Sequence, residues 1–177
     1  APDEIVTGTW YPDDWCPACG NGLPGFDSKD LAIIKLDSPV PLPEYISLPT
    51  EGFSDTLRNK TSVMQAGYGV NGFIPGGGPL AGNAAFDGLR RFAPADLIAS
   101  NHPHSDEYLK ASSNPSQGKG GTCFGDSGSP LMYDNGDTWV MLAATSYGTN
   151  GVCAGVGYFN RVDTSDALGF IDGVRNP

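Results

Sequence analysis

One hydroxyl in this chain is set up to act as a nucleophile. Residues 121–130 read GTCFGDSGSP, in which Gly125-Asp126-Ser127-Gly128 is a tight, glycine-flanked turn presenting Ser127. The glycines permit unusual dihedrals and let a substrate backbone approach closely. The backbone N–H groups of Gly125 and Ser127 can converge on one point and hold a developing oxyanion. A bare G-D-S-G tetrapeptide is nonetheless more often a plain Gly/Ser loop, so context has to decide. Candidate bases are few. The only histidines are His102 and His104, in the polar, proline-containing segment SNHPHSDEY. That segment reads as a surface loop, and the H-x-H pair has no evident third metal ligand, so neither histidine is taken as a general base. Cys16 and Cys19 form a C-x-x-C, half of a zinc site, with no further cysteines nearby. No metal and no cofactor are expected.

The elements around that turn read as short strands. The chain has 177 residues, with 25 Gly and 15 Pro scattered along it. That composition suits many short strands separated by turns, and no solenoid or propeller period is visible. Residues 3–10 read as a strand, 11–29 as a loop, and Leu31–Leu36 as a short buried strand. Residues 39–49 carry four prolines and read as a stiff, extended link. Further strands are expected near Thr61–Gly69, Gly88–Ala93, Tyr108–Ser112, Pro130–Tyr133, Trp139–Tyr147 and Val156–Val162, the spacing of an antiparallel sandwich or barrel. Residues 71–85 and 113–121 read as glycine-rich surface loops. Thr164 is placed to cap a terminal helix over Ser165–Ile171, with Leu168 and Ile171 on one face.

A net charge of −10 argues against nucleic acid and against docking to an anionic membrane. No stretch is long and apolar enough to span a bilayer. Four cysteines, Cys16, Cys19, Cys123 and Cys153, fit two disulfides and an oxidising, secretory or extracellular setting. Asn59-Lys60-Thr61 is a glycosylation sequon, usable only on a eukaryotic secretory route.

With a cysteine four residues before Ser127 and a proline three after, GTCFGDSGSP closely resembles the nucleophile motif of the chymotrypsin/trypsin family of serine proteases. The family form ends GDSGGP, so Ser129 stands where a glycine is usual. Other segments follow in the family's order. DLAIIKL resembles the segment carrying the catalytic aspartate, which points to Asp30. Gln65-Ala66-Gly67-Tyr68-Gly69 resembles the strand opening the second barrel, and Ser146-Tyr147-Gly148 the strand that pairs with bound peptide. Gly157-Tyr158-Phe159-Asn160-Arg161-Val162 resembles the last strand.

The resemblance implies an all-β fold: a double antiparallel β-barrel with an incomplete first barrel and a C-terminal helix. It divides the chain into a first-barrel remnant (1–38), an inter-barrel linker (39–60), a second barrel (61–163), and a helix and tail (164–177). It implies a serine endopeptidase with Ser127 as nucleophile, Asp30 orienting the base, and Gly125 and Ser127 as the oxyanion hole. Gly121 would floor the specificity pocket, with Thr122 and Gly157 beside it. Having no aspartate there, the pocket would be uncharged and suit apolar or aromatic side chains, provided Lys119 does not fold inward. Ser146, Tyr147 and Gly148 would hold substrate, and Cys123–Cys153 would brace the pocket. Cys16 and Cys19 either pair with each other or have partners elsewhere.

The pattern breaks in two places. The family's histidine precedes its aspartate, yet none lies before Asp30. The chain alone is therefore expected to be inactive, with a protein or peptide substrate and a separate N-terminal segment as partners. Asp126 corresponds to the carboxylate that pairs with the family's activated N-terminus. Without that cation it is expected to be buried and uncompensated, collapsing the oxyanion site. The alternative is a non-catalytic homologue that binds extended peptides.

Overall fold

Among the described residues, two sheets, one α-helix and a short 3-10 turn make up the regular structure. The computed structural model describes residues 5–16, 29–70, 86–99, 106–113, 117–149, 153 and 155–177. The first sheet is a pair of antiparallel strands, β1 (Gly8–Pro12) and β2 (Ala32–Leu36), with Trp10 opposite Ile34. Those two side chains are each 64% exposed. A two-stranded sheet lacks the cross-strand neighbours needed to cover both its faces.

The remaining strands close on themselves. β3 (Ser62–Gly67), β4 (Arg91–Ala99), β5 (Tyr108–Ser113), β6 (Pro130–Asp134), β7 (Trp139–Gly148) and β8 (Gly155–Arg161) form a six-stranded antiparallel barrel, ordered β3-β4-β5-β8-β7-β6. Closure removes the sheet edges, so every strand has two neighbours. Val63, Leu97, Leu109, Leu131, Leu142 and Phe159 point inward and form its core.

The strand edges depart from the expected ones for identifiable reasons. β1 runs on through Pro12, which terminates it. β4 continues through Pro94 to Ala99, well past the expected end at Ala93. Pro94 is tolerated because of strand parity. Leu97 directs its N–H and C=O toward β3, so Pro94 directs its own the other way, where its carbonyl accepts from Gly120 N–H at 3.1 Å. No ladder bond to β3 is lost.

The proline-rich link is extended at first and then tightens. Ser47 bridges to the start of β7 at Val140, its N–H donating to Trp139 O and its C=O accepting from Met141 N–H. A 3-10 turn follows at Phe53–Thr56, where Ser54 N–H reaches Asp163 Oδ2 at 2.7 Å. Arg161 anchors this corner, bonded to Asp163 and Asp55. Burial opposes the Arg161 charge, but the two carboxylates outweigh that and hold its pKa above the usual guanidinium value.

The C-terminal helix α1 spans Ser165–Arg175, one turn longer than expected. Thr164 caps it, its Oγ1 accepting from Ala167 N–H at 3.2 Å. Its most buried residue is Ala167; Leu168 and Ile171 are half-buried. No helix among the described residues is long and apolar enough to cross a membrane.

Candidate active site

Ser127 sits on a loop pinned at both ends. Behind it, Cys123 is disulfide-bonded to Cys153, and Asp126 N–H donates to Cys123 O. Ahead of it, Gly128 N–H donates to Thr145 O on β7, and Ser129 N–H closes a turn onto Asp126 O. Gly125 and Gly128 have φ of +93° and +80°, backbone conformations that side-chain-bearing residues resist. Between these anchors Ser127 is exposed.

Asp126 is buried, yet not uncompensated. Its Oδ1 accepts from Gly69 N–H at 2.7 Å and its Oδ2 from Cys123 N–H at 2.9 Å. Two amides aimed at one carboxylate are charge-assisted bonds and offset much of its desolvation. The expectation of an unpaired carboxylate is corrected accordingly. The fit also accounts for two glycines in QAGYG, because a Cβ on Gly67 or Gly69 would lie 2.0 or 2.5 Å from the Asp126 carboxyl group.

Asp30 reaches the same region from the other sheet. Ser146 Oγ donates to Asp30 Oδ2 at 2.5 Å, and Asp30 N–H donates to Asn160 Oδ1 at 3.3 Å. Ser146 lies in a bulge of β7, where the register to β8 shifts between Thr145 and Tyr147. Bulges re-aim side chains, and here one turns Ser146 toward Asp30. Asp30, Ser127, Gly128 and Ser146 all line one cleft of about 880 Å³ between the two sheets. Its other walls include Trp10, Trp15, Met141 and Phe170. Asn160 was not legible as a site residue, because nothing in its motif says that a buried amide will reach across to another sheet.

A second hollow of about 270 Å³ opens beside Ser127, lined among others by Thr122, Tyr147, Gly148, Val156 and Gly157. No charged residue is among its described walls. Gly121 lines an adjoining cavity with Gln65 and Asp126, while Thr122 lines both spaces, its Oγ1 beside Gly157. Lys119 is bonded to Asp96 at 2.9 Å on β4 and does not line the hollow. Tyr147 stacks on Tyr158 with centroids 4.5 Å apart and meets Tyr108 edge-on. Its hydroxyl is buried and has no hydrogen-bond partner among the described residues. Burial, then the neighbouring Tyr108 and Tyr158 hydroxyls, push its pKa up.

Cys16 is disulfide-bonded. Cys19, His102 and His104 lie outside the described residues. Among the described residues no group of three side chains is placed to hold a metal ion.

The Trypsin family model matches residues 21–168, and the chain belongs to that family. It is 32% identical over 152 residues to venom serine protease Bi-VSP of Bombus ignitus, an alignment covering 77% of this chain and 38% of that protein. The chain thus spans well under half the length of that curated relative. Among solved structures, a mutant of human heparin binding protein (CAP37) superposes with TM-score 0.68 at 20% identity, over 97% of this chain and 67% of that one. Human heparin binding protein itself gives 0.66 at 19%, over 96% and 66%. At these identities the likeness speaks for the fold alone.

Proposed function

We propose that this chain is the nucleophile-bearing part of a secreted serine endopeptidase acting on protein or peptide substrates. Ser127 Oγ attacks the scissile carbonyl, and Gly125 and Ser127 N–H groups stabilise the oxyanion. The proton passes to a histidine on a polypeptide segment other than residues 1–177. Asp30 orients that imidazole and stabilises its charged form. The acyl-enzyme on Ser127 is then hydrolysed by water. Ser146, Tyr147 and Gly148 pair with the substrate as an added strand. The uncharged hollow beside Ser127, bounded by Thr122 and Gly157, receives an apolar or aromatic side chain. Asp126 steadies the nucleophile loop through Gly69 and Cys123.

The observation that supports this reading is the shared cleft: a carboxylate from one sheet and an exposed serine from the other face the same space. Heparin binding, which names the structural relatives, is not carried over, because a net charge of −10 repels polyanions.

A specific observation favours a second reading. Ser146, Tyr147 and Gly148 end β7 beside the uncharged hollow, a strand end to which an extended peptide could add. A homologue that binds extended peptides without cutting them needs no more than that. Fluorophosphonate labelling separates the two, with the chain tested alone and mixed with a histidine-bearing first-barrel segment of the family. The protease reading expects labelling only in the mixture, abolished by Ser127→Ala. Absence of labelling in both, with peptide binding retained, would sink the protease reading.

A further inference from the structure

The one departure from the family's nucleophile motif places a hydroxyl, Ser129, where glycine is usual. Its Oγ lies 2.9 Å from Thr145 Oγ1 on β7. Thr145 is only 8% exposed and Ser129 is half-buried, so the pair is partly shielded from bulk water. The backbones are joined at the same place: Gly128 N–H donates to Thr145 O, and Thr145 N–H donates to Ser129 O, each at 2.8 Å. Ser127 is thus next to a three-bond fastening onto β7. Thr145 lines both the hollow beside Ser127 and the cleft that Asp30 enters, and its neighbour Ser146 holds Asp30.

We propose that Ser129 and Thr145 form a hydroxyl clasp that positions Ser127. Both are positioning residues. The clasp's catalytic meaning rests on the protease reading above; the clasp itself concerns only the loop. A glycine at 129 would strip Thr145 of this partner, and an apolar residue at 145 would strip Ser129. Thr145, the buried partner, would lose more than the bond is worth if left unpaired, so the effects of the two changes should not add.

Amide hydrogen exchange at Gly128 in the 177-residue chain tests this. Thr145→Val, close in shape, and Ser129→Ala should each speed exchange by roughly three- to tenfold, the worth of one such bond. The double variant should exchange no faster than the quicker single. Thr145→Ser, which keeps the hydroxyl, should stay within about twofold of the parent. Unchanged exchange in either single variant, additive effects in the double, or no rescue by serine overturns the clasp. An equal rise at Leu142, in the core of the same strand, would mean general loosening and overturns it too. Phosphonate labelling of Ser127 in the mixture with the first-barrel segment stands apart. A parent that fails to label removes the protease reading, while the exchange data still decide the clasp. A parent that labels should lose labelling rate in Thr145→Val at unchanged half-saturation.

Discussion

At the scale of single residues, the candidate site is held together by buried polar groups behind Ser127. Asp126 is the clearest. Its carboxylate takes two amide donors, and Gly67 and Gly69 are bare because it rests against them. Gly69→Ala should therefore force the carboxylate off its donors and cost about 1–3 kcal/mol of unfolding free energy, measured by urea denaturation. An alanine tolerated without loss would mean that this fit is looser than the distances say. Tyr147 gives a prediction with a pH sign. Its phenol pKa is raised in the folded state, so the fold binds that proton more tightly than the unfolded chain does. Its contribution is complete below about pH 10, the ordinary tyrosine value, and is lost as pH rises beyond that. Stability should fall on the alkaline side, and Tyr147→Phe should flatten that fall. Because the hydroxyl has no partner among the described residues, the same change should be neutral or slightly stabilising at pH 7.

At the scale of elements, what could be read from the sequence follows a physical divide. Motif glycines, the Thr164 cap and the strands flanking Ser127 were legible because local chemistry dictates them. The continuation of β4 was not, since proline reads as a break until strand parity shows which way its nitrogen faces. Nor were Asn160 and Thr145, whose roles exist only once β7 and β8 lie beside the loops they hold. Asp30 and Ser127 could be named from their motifs, but their shared cleft depends on packing between sheets. The 3-10 turn within the link was hidden too, because its anchor, Arg161, lies more than a hundred residues away. That anchor is testable. Arg161→Ala would leave the fully buried Asp163 without its cation, and about 3–5 kcal/mol should be lost, as for other broken buried ion pairs. Thermal denaturation at pH 7 reads this directly. A loss below about 1 kcal/mol would place the corner among exposed pairs of little worth.

At the scale of the whole molecule, the two sheets differ in how far they bury their own described side chains. The barrel of β3 to β8 is closed around an apolar core, whereas β1 and β2 expose Trp10 and Ile34 and leave a largely apolar cleft of about 880 Å³ against the barrel. An exposed space with this lining is the surface on which the proposed histidine-bearing segment would dock. The hydrogen bonds described across it are few: Asp30 to Ser146 and Asn160, and Lys35 to the carbonyl of Val174 on α1. The same carboxylate proposed to orient a histidine is thus also a fastener between the sheets. Two consequences follow from that double role. The isolated chain should bind an apolar dye such as ANS, and a histidine-bearing first-barrel segment should quench that signal as it fills the cleft. Asp30→Asn keeps the N–H and one acceptor, so the segment should still dock and quench, while phosphonate labelling of Ser127 should fall steeply. If Asp30→Asn instead abolished docking, the carboxylate would be serving assembly rather than chemistry. Equal labelling in parent and variant would remove it from the catalytic group altogether.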